Sequence, residues 1–143
     1  MGAMQAYNGG CHCGALNLRF ETAVAPASLQ RRACQCSFCR SHGALTISDA
    51  DGALRIDAKV DALVRYRFGL KTADFLICAR CGVYVGAVLS EGGEAWGIVN
   101  ANVLHDRASF TAPIEAISYD NETASLRGER RKSRWTPVEA FNV

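Results

Sequence analysis

The sequence predicts a mainly β fold, with short antiparallel strands in one or two sheets built around metal sites. Three observations support this prediction. Apolar and polar residues alternate along several short segments, as in strands that have one solvated face. No window of 12 or more residues carries the i, i+3, i+4, i+7 apolar spacing of an amphipathic helix. Finally, all seven cysteines fall into three tight groups.

Length and composition limit the possible classes of protein. The chain has 143 residues, which is the size of one domain. Its 49% hydrophobic and 21% charged residues are typical of a folded chain with a core. A net charge of +2 argues against nucleic-acid binding over the whole surface. No apolar run approaches the roughly 18 residues of a membrane span, so no membrane partner is expected.

The alternation predicts the strands in chain order. Leu16, Leu18 and Phe20 alternate with polar residues and mark the first strand. Further strands are predicted at residues 45–47, 54–56, 64–68, 74–78, 83–89, 95–100 and 114–119. The segment Glu91-Gly92-Gly93-Glu94 predicts a hairpin turn, and 114–119 predicts an edge strand. Single helical turns are expected at 37–42 and 102–108.

The cysteine groups favour metal binding over disulfides. They are Cys11-His12-Cys13, Cys34-Gln35-Cys36-Ser37-Phe38-Cys39 and Cys78-Ala79-Arg80-Cys81-Gly82. An odd number of cysteines cannot pair fully within one chain, and residues 1–10 lack the apolar stretch of a signal peptide. Clustered cysteines in such a chain predict metal binding in the cytoplasm. In Cys-x-x-Cys-Gly, two sulfurs converge on a tight turn, and either other group could supply the remaining ligands.

The cysteine count divides into four plus three. The two groups that offer only two cysteines each are predicted to share a structural zinc through Cys11, Cys13, Cys78 and Cys81. The middle group is predicted to hold a second, catalytic type of zinc through Cys34, Cys36 and Cys39. Three thiolates leave a metal poorly suited to activating water but ready to accept a fourth sulfur. The middle group therefore predicts a substrate that carries a thiol.

Two alternatives remain open at this point. His42 lies three residues after Cys39 and could close the middle group as a second structural site. Cys78 and Cys81 could form a thioredoxin-like redox pair, although no βαβ pattern surrounds them. A fourth ligand from His42 would favour a binding module, whereas an open position would favour an enzyme.

The order CxC, CxCxxC and CxxCG resembles the glutathione-dependent formaldehyde-activating enzyme family, which includes the centromere protein V-like proteins. Its motifs are Gly10-Cys11-His12-Cys13-Gly14-Ala15, then Cys34-Gln35-Cys36-Ser37-Phe38-Cys39-Arg40, then Phe75 to Cys78 with Cys81-Gly82. The resemblance covers the chain from about Gly9 to His105 and includes every cysteine.

The resemblance implies a fold of the zinc-binding β-tent type with two zinc ions per chain. The structural zinc would be held by Cys11, Cys13, Cys78 and Cys81, and the second by Cys34, Cys36 and Cys39. The resemblance implies that the second zinc would be displaced or engaged when glutathione binds. The implied activity is that of a carbon–sulfur lyase of the S-(hydroxymethyl)glutathione synthase type, which joins glutathione and formaldehyde. The alternative is a non-catalytic zinc-binding module that binds a partner or carries thiol adducts.

The predicted domain organisation has three parts. Residues 1–8 are expected to be a flexible N-terminus, in which the first residues are compatible with an addition before a native Met4. Residues 9–126 form the zinc-binding β domain, and residues 127–143 form a basic C-terminal segment. Five of the nine residues 127–135 are Lys or Arg. They could hold the carboxylates of a glutathione-like substrate or contact phosphates, and otherwise they are expected to form a solvated, flexible tail.

Overall fold

The computed structural model describes residues 3–142, which form eleven strands and two α-helices. The strands are β1 (Gln5–Gly10), β2 (Leu16–Thr22), β3 (Arg31–Cys34), β4 (Thr46–Ile47), β5 (Ala53–Ala58), β6 (Leu63–Tyr66), β7 (Asp74–Cys78), β8 (Tyr84–Glu91), β9 (Glu94–Asn100), β10 (Ile114–Ile117) and β11 (Thr136–Asn142). The helices are α1 (Ser37–His42) and α2 (Ala124–Arg134). The predicted mainly β class is confirmed.

The strands form one branched sheet. Its main path runs β1-β2-β5-β11-β9-β4-β3-β10, and β8, β7 and β6 extend from β9. Most neighbours are antiparallel, but β10 with β3 and β11 with β5 are parallel. The prediction of antiparallel pairing alone is therefore wrong for these two pairs. Alternation reveals which face of a strand is buried but not the direction of its neighbour, and parallel neighbours need a long crossover.

The apolar residues form two clusters, and each anchors a cysteine group. The larger cluster includes Phe20, Leu54 and Val99 and also contains the buried Cys11 and Cys78. The smaller cluster contains the buried Cys39 together with three large aromatic side chains: Phe75, Tyr84 and Trp135. Because each cysteine group rests on a packed cluster, the positions of its sulfurs depend on the core of the protein.

Both terminal segments are folded where the structure describes them. β1 pairs with β2 from Gln5 to Gly10, so the expectation of a flexible N-terminus is wrong for residues 5–8. Met1 and Gly2, the first residues of that segment, lie outside the described residues, as does Val143. The expected flexible tail is also wrong, because α2 and β11 occupy it and β11 lies between β5 and β9.

The packing of Gly9 allows a testable prediction about the fold. A Cβ atom at Gly9 would overlap the carbonyl oxygen of Val103 and lie 2.8 Å from Leu104 Cα. Both obstacles are backbone, which cannot rotate away as a side chain could. We expect Gly9→Ala to lower the free energy of unfolding by about 1–3 kcal/mol, measured by urea denaturation. Gly128→Ala is the control, since no atom lies within 4 Å of the new Cβ; an equal loss in both variants would contradict the packing argument.

Candidate metal centres

Two tight turns bring four sulfurs together. One turn joins β1 to β2 and carries Cys11 and Cys13; the other joins β7 to β8, with Cys78 at the end of β7 and Cys81 in the turn itself. Their Sγ atoms all lie within 4.8 Å of one another. Cys13 Sγ lies 3.7 Å from Cys11 Sγ and 3.6 Å from Cys78 Sγ. Tetrahedral zinc with bonds of about 2.3 Å to thiolate sulfur requires sulfur separations of about 3.8 Å, so the donor set fits this metal.

Backbone N–H groups stabilise negative charge on these sulfurs. Cys78 Sγ accepts hydrogen bonds from the N–H groups of Arg80 at 3.3 Å and Cys81 at 3.4 Å. Gly82 follows at φ 79°, a conformation that glycine adopts without strain. Burial raises the pKa of Cys81, but hydrogen bonds from the backbone N–H groups of Cys13 and Val83 outweigh this effect and lower the pKa to about 6. The turn therefore presents sulfur in the thiolate form that binds metal.

The three sulfurs of the middle group come from one short segment. Cys34 ends β3, Cys36 is the N-cap of α1, and Cys39 lies in the first turn of that helix. Their Sγ atoms also lie within 4.8 Å of one another. The Cys39 N–H donates to Cys36 Sγ at 3.4 Å. The pKa of Cys34 is lowered to about 5, mainly because its sulfur accepts a hydrogen bond from the Cys39 thiol. Burial of Cys34 acts in the opposite direction and raises this pKa.

The structure does not bring histidine into either group. His12 and His42 are exposed, and neither belongs to the clusters of ligand atoms found among residues 3–142. The His42 ring lies 4.6 Å from the Phe38 ring, measured between centroids. Phe38 in turn stacks on Phe68 at 5.0 Å within an aromatic cluster. In this structure the middle group therefore has three protein ligand atoms, and its aromatic neighbours are packing residues.

The middle group opens into a cavity of about 390 Å³. Phe68 and Phe75 form part of its apolar wall. Five arginines also line it: Arg32, Arg40, Arg127, Arg130 and Arg131. Asp120 is the one carboxylate among the described lining residues. A cluster of soft sulfur ligands thus lies in a small-molecule-sized cavity with excess positive charge.

Helix α2 supplies three of these arginines. Arg130 Nε donates to Glu122 Oε2 at 2.7 Å, and Arg127 Nε donates to Glu122 Oε1 at 3.2 Å. Arg130 also lies over the Tyr119 ring, 3.7 Å from its centroid. These bonds, led by the one from Arg130, hold the pKa of Glu122 below its usual value. Glu122 therefore stays ionised and fixes two of the three arginines beside the cavity.

The sequence and the fold are both similar to those of known proteins. The model of the glutathione-dependent formaldehyde-activating enzyme family matches residues 6–120. The chain belongs to this family. Its fold also resembles the crystal structure of a Rhodobacter sphaeroides protein, a Northeast Structural Genomics target. The TM-score is 0.54 and the sequence identity 33%, over 75% of this chain and 98% of that one. No curated protein matches the chain.

Membership connects this chain with glutathione-dependent activation of formaldehyde, which is the activity that describes the family as a whole. All seven cysteines of the two groups lie inside the matched residues. All of α2 and β11 lies beyond residue 120, so Arg127, Arg130 and Arg131 come from outside the match. No helix among residues 3–142 has the length and apolar character needed to cross a bilayer.

Proposed function

We propose that this protein is a zinc-dependent enzyme that forms or breaks a carbon–sulfur bond in a thiol adduct, with glutathione and formaldehyde as reactants. The observation that carries the proposal is the placement of Cys34, Cys36 and Cys39 at a cavity that arginines line. Two zinc ions per chain are proposed, one in each cysteine group. Cysteines that are clustered for metal binding and form no disulfide favour the cytoplasm as the location.

The proposed reaction needs no redox partner. The glutathione sulfur adds to the carbon of formaldehyde, so a carbon–sulfur bond forms, the carbonyl π bond breaks, and the thiol proton ends on the oxygen. A zinc held by three thiolates would bind a fourth sulfur and favour its deprotonated, nucleophilic form. The residues of the chain would orient the thiol: the cysteines would fix the position of the metal, and the arginines that α2 presents to the cavity would attract the carboxylates.

Calorimetry with glutathione and S-methylglutathione tests the metal–sulfur contact. We expect the zinc-loaded protein to bind glutathione and to bind S-methylglutathione far more weakly, because a thioether is a poor zinc ligand. Both compounds have the same carboxylates and amine, so the comparison isolates the sulfur. Equal affinity would remove the metal–sulfur contact from the proposal.

An exchange measurement tests catalysis separately. Adduct formation from ¹³C-formaldehyde and glutathione also proceeds without protein, and NMR exchange spectroscopy gives its rate in both directions. We expect the protein to accelerate both directions without shifting the equilibrium, and Cys36→Ser to remove the acceleration. Tight binding of the adduct with unchanged exchange rates would instead assign a carrier of thiol adducts.

A further inference from the structure

Two of the five cavity arginines are buried and have no acidic partner among the described residues. Arg131 is 7% exposed and Arg32 is 9% exposed. Among residues 3–142, no carboxylate lies within ion-pair distance of either guanidinium. Arg32 donates to Ser48 Oγ at 2.7 Å, and Arg131 donates from Nη1 to Thr72 Oγ1 at 2.8 Å. Both partners are neutral hydroxyls, so neither buried guanidinium forms a close ion pair, and Cys34 and Glu122 attract Arg131 only from a longer distance.

Arg131 also leaves a donor unused. Its Nε is fully buried and has no hydrogen-bond partner among the described residues. The guanidinium packs over the Trp135 ring at 4.8 Å, which fixes its plane. Burial, and then repulsion from Arg130 and Arg127, lower the pKa of Arg131 to about 10, so it remains charged at neutral pH. Buried charged donors are normally paired, which makes this one exceptional.

Local charge shows which kind of group would fit. The cavity arginines contribute five positive charges, and Asp120 with Glu122 contributes two negative ones. A zinc bound by three thiolates would add one further negative charge. The pocket would remain positive, and a planar guanidinium with a free Nε is suited to bidentate pairing with a carboxylate.

We propose that Arg131, supported by Arg32, is an anion-binding subsite that selects thiols carrying a carboxylate over neutral thiols. The binding of a thiol in this inference rests on the proposed function. The anion-binding subsite does not depend on it. Arg131 lies beyond the residues that the family model matches, so the subsite is assigned from this chain's own contacts. The carboxylate would pair with the Arg131 guanidinium where this residue lines the cavity, and the sulfur would reach the three-cysteine group at the same cavity.

The test compares glutathione with its diethyl ester, which keeps the thiol but has no carboxylate. Binding to the zinc-loaded protein is measured by calorimetry for the wild type and for Arg131→Met, which keeps the apolar stem. We expect the variant to lose roughly ten- to hundredfold affinity for glutathione and to bind the diester as the wild type does. Arg131→Lys keeps the charge but loses the planar fork, and it should fall between the two.

Arg40→Met is the matched control. Arg40 lines the same cavity and carries the same charge, but it is exposed. Its loss should change glutathione affinity by at most roughly fivefold, because an exposed charge is screened by solvent. Equal losses for Arg40→Met and Arg131→Met would reduce the effect to general electrostatic attraction and overturn the subsite.

A second measurement separates this inference from the proposed function. Glutarate, a dicarboxylate without a thiol, is titrated into the wild type while the Arg131 Nε–H signal is followed by ¹⁵N NMR. We expect glutarate to shift this signal even if glutathione fails to bind through its sulfur, in which case only the proposed function fails. An unchanged signal, together with equal effects of Arg131→Met on glutathione and its diester, would overturn the subsite while thiol binding stands.

Discussion

Replacing Cys78 with serine should unfold the domain. Cys78 is 1% exposed, lies in the main core cluster and contributes its sulfur to the four-cysteine group. That group connects two turns that are far apart in the chain, since Cys13 and Cys78 are 65 residues apart. A structural zinc contributes on the order of 10 kcal/mol, which is comparable to the whole stability of a domain. Circular dichroism, thermal melting and metal analysis of the purified variant measure the effect.

Cys13→Ser distinguishes loss of metal from loss of packing. Cys13 belongs to the same group but is exposed, so serine there removes a ligand without placing a hydroxyl in the core. We expect Cys13→Ser to lose the metal and unfold as Cys78→Ser does. If Cys78→Ser melts within a degree or two of the wild type, the group is not a structural metal site. If only Cys78→Ser unfolds, the cause is core packing.

The features that could be predicted from the sequence are those encoded locally. Every second residue of strand β2 is buried and the residues between them are exposed or half-buried, and β7 begins and ends where its run of β-forming residues does. The hairpin turn at Gly92 and Gly93 could be predicted because such turns favour positive φ, which both glycines adopt here. The cysteine groups were recognisable because metal-binding turns need a fixed ligand spacing within a few residues.

The C-terminal region could not be predicted from apolar periodicity, because its inward positions are not apolar. Helix α2 presents Arg127, Arg130 and Arg131 to the cavity, at the i, i+3, i+4 spacing that normally carries leucine or valine. Strand β11 contains Pro137 and shifts register between Val138 and Ala140, which interrupts its alternation. A search for helical spacing of arginines would have found the α2 face. Its proximity to the middle cysteine group depends on the tertiary fold.

Replacing Cys36 with serine should have the opposite outcome to Cys78→Ser. The three sulfurs of the middle group lie within residues 34–39, so a metal there closes no long loop and contributes little to folding. Cys36 Sγ also caps α1 by accepting the Cys39 N–H, and serine is among the best N-cap residues. The substitution therefore removes a ligand and retains the cap. We expect a folded protein that melts within about 5 °C of the wild type.

Metal content and thiol binding complete this prediction. The wild type should carry about two zinc ions per chain, one for each cysteine group, and Cys36→Ser about one. Two cysteines that remain in a solvent-accessible cavity hold zinc far more weakly than three, so glutathione should lose its sulfur contact and bind at most through its carboxylates. Aggregation of Cys36→Ser comparable to that of Cys78→Ser would mean that both groups are structural. A folded variant that keeps two zinc ions and full glutathione affinity would place the reactive metal elsewhere. In either case the proposed reaction at the middle group would be wrong, because its chemistry depends on a metal that can exchange its fourth ligand without unfolding the protein.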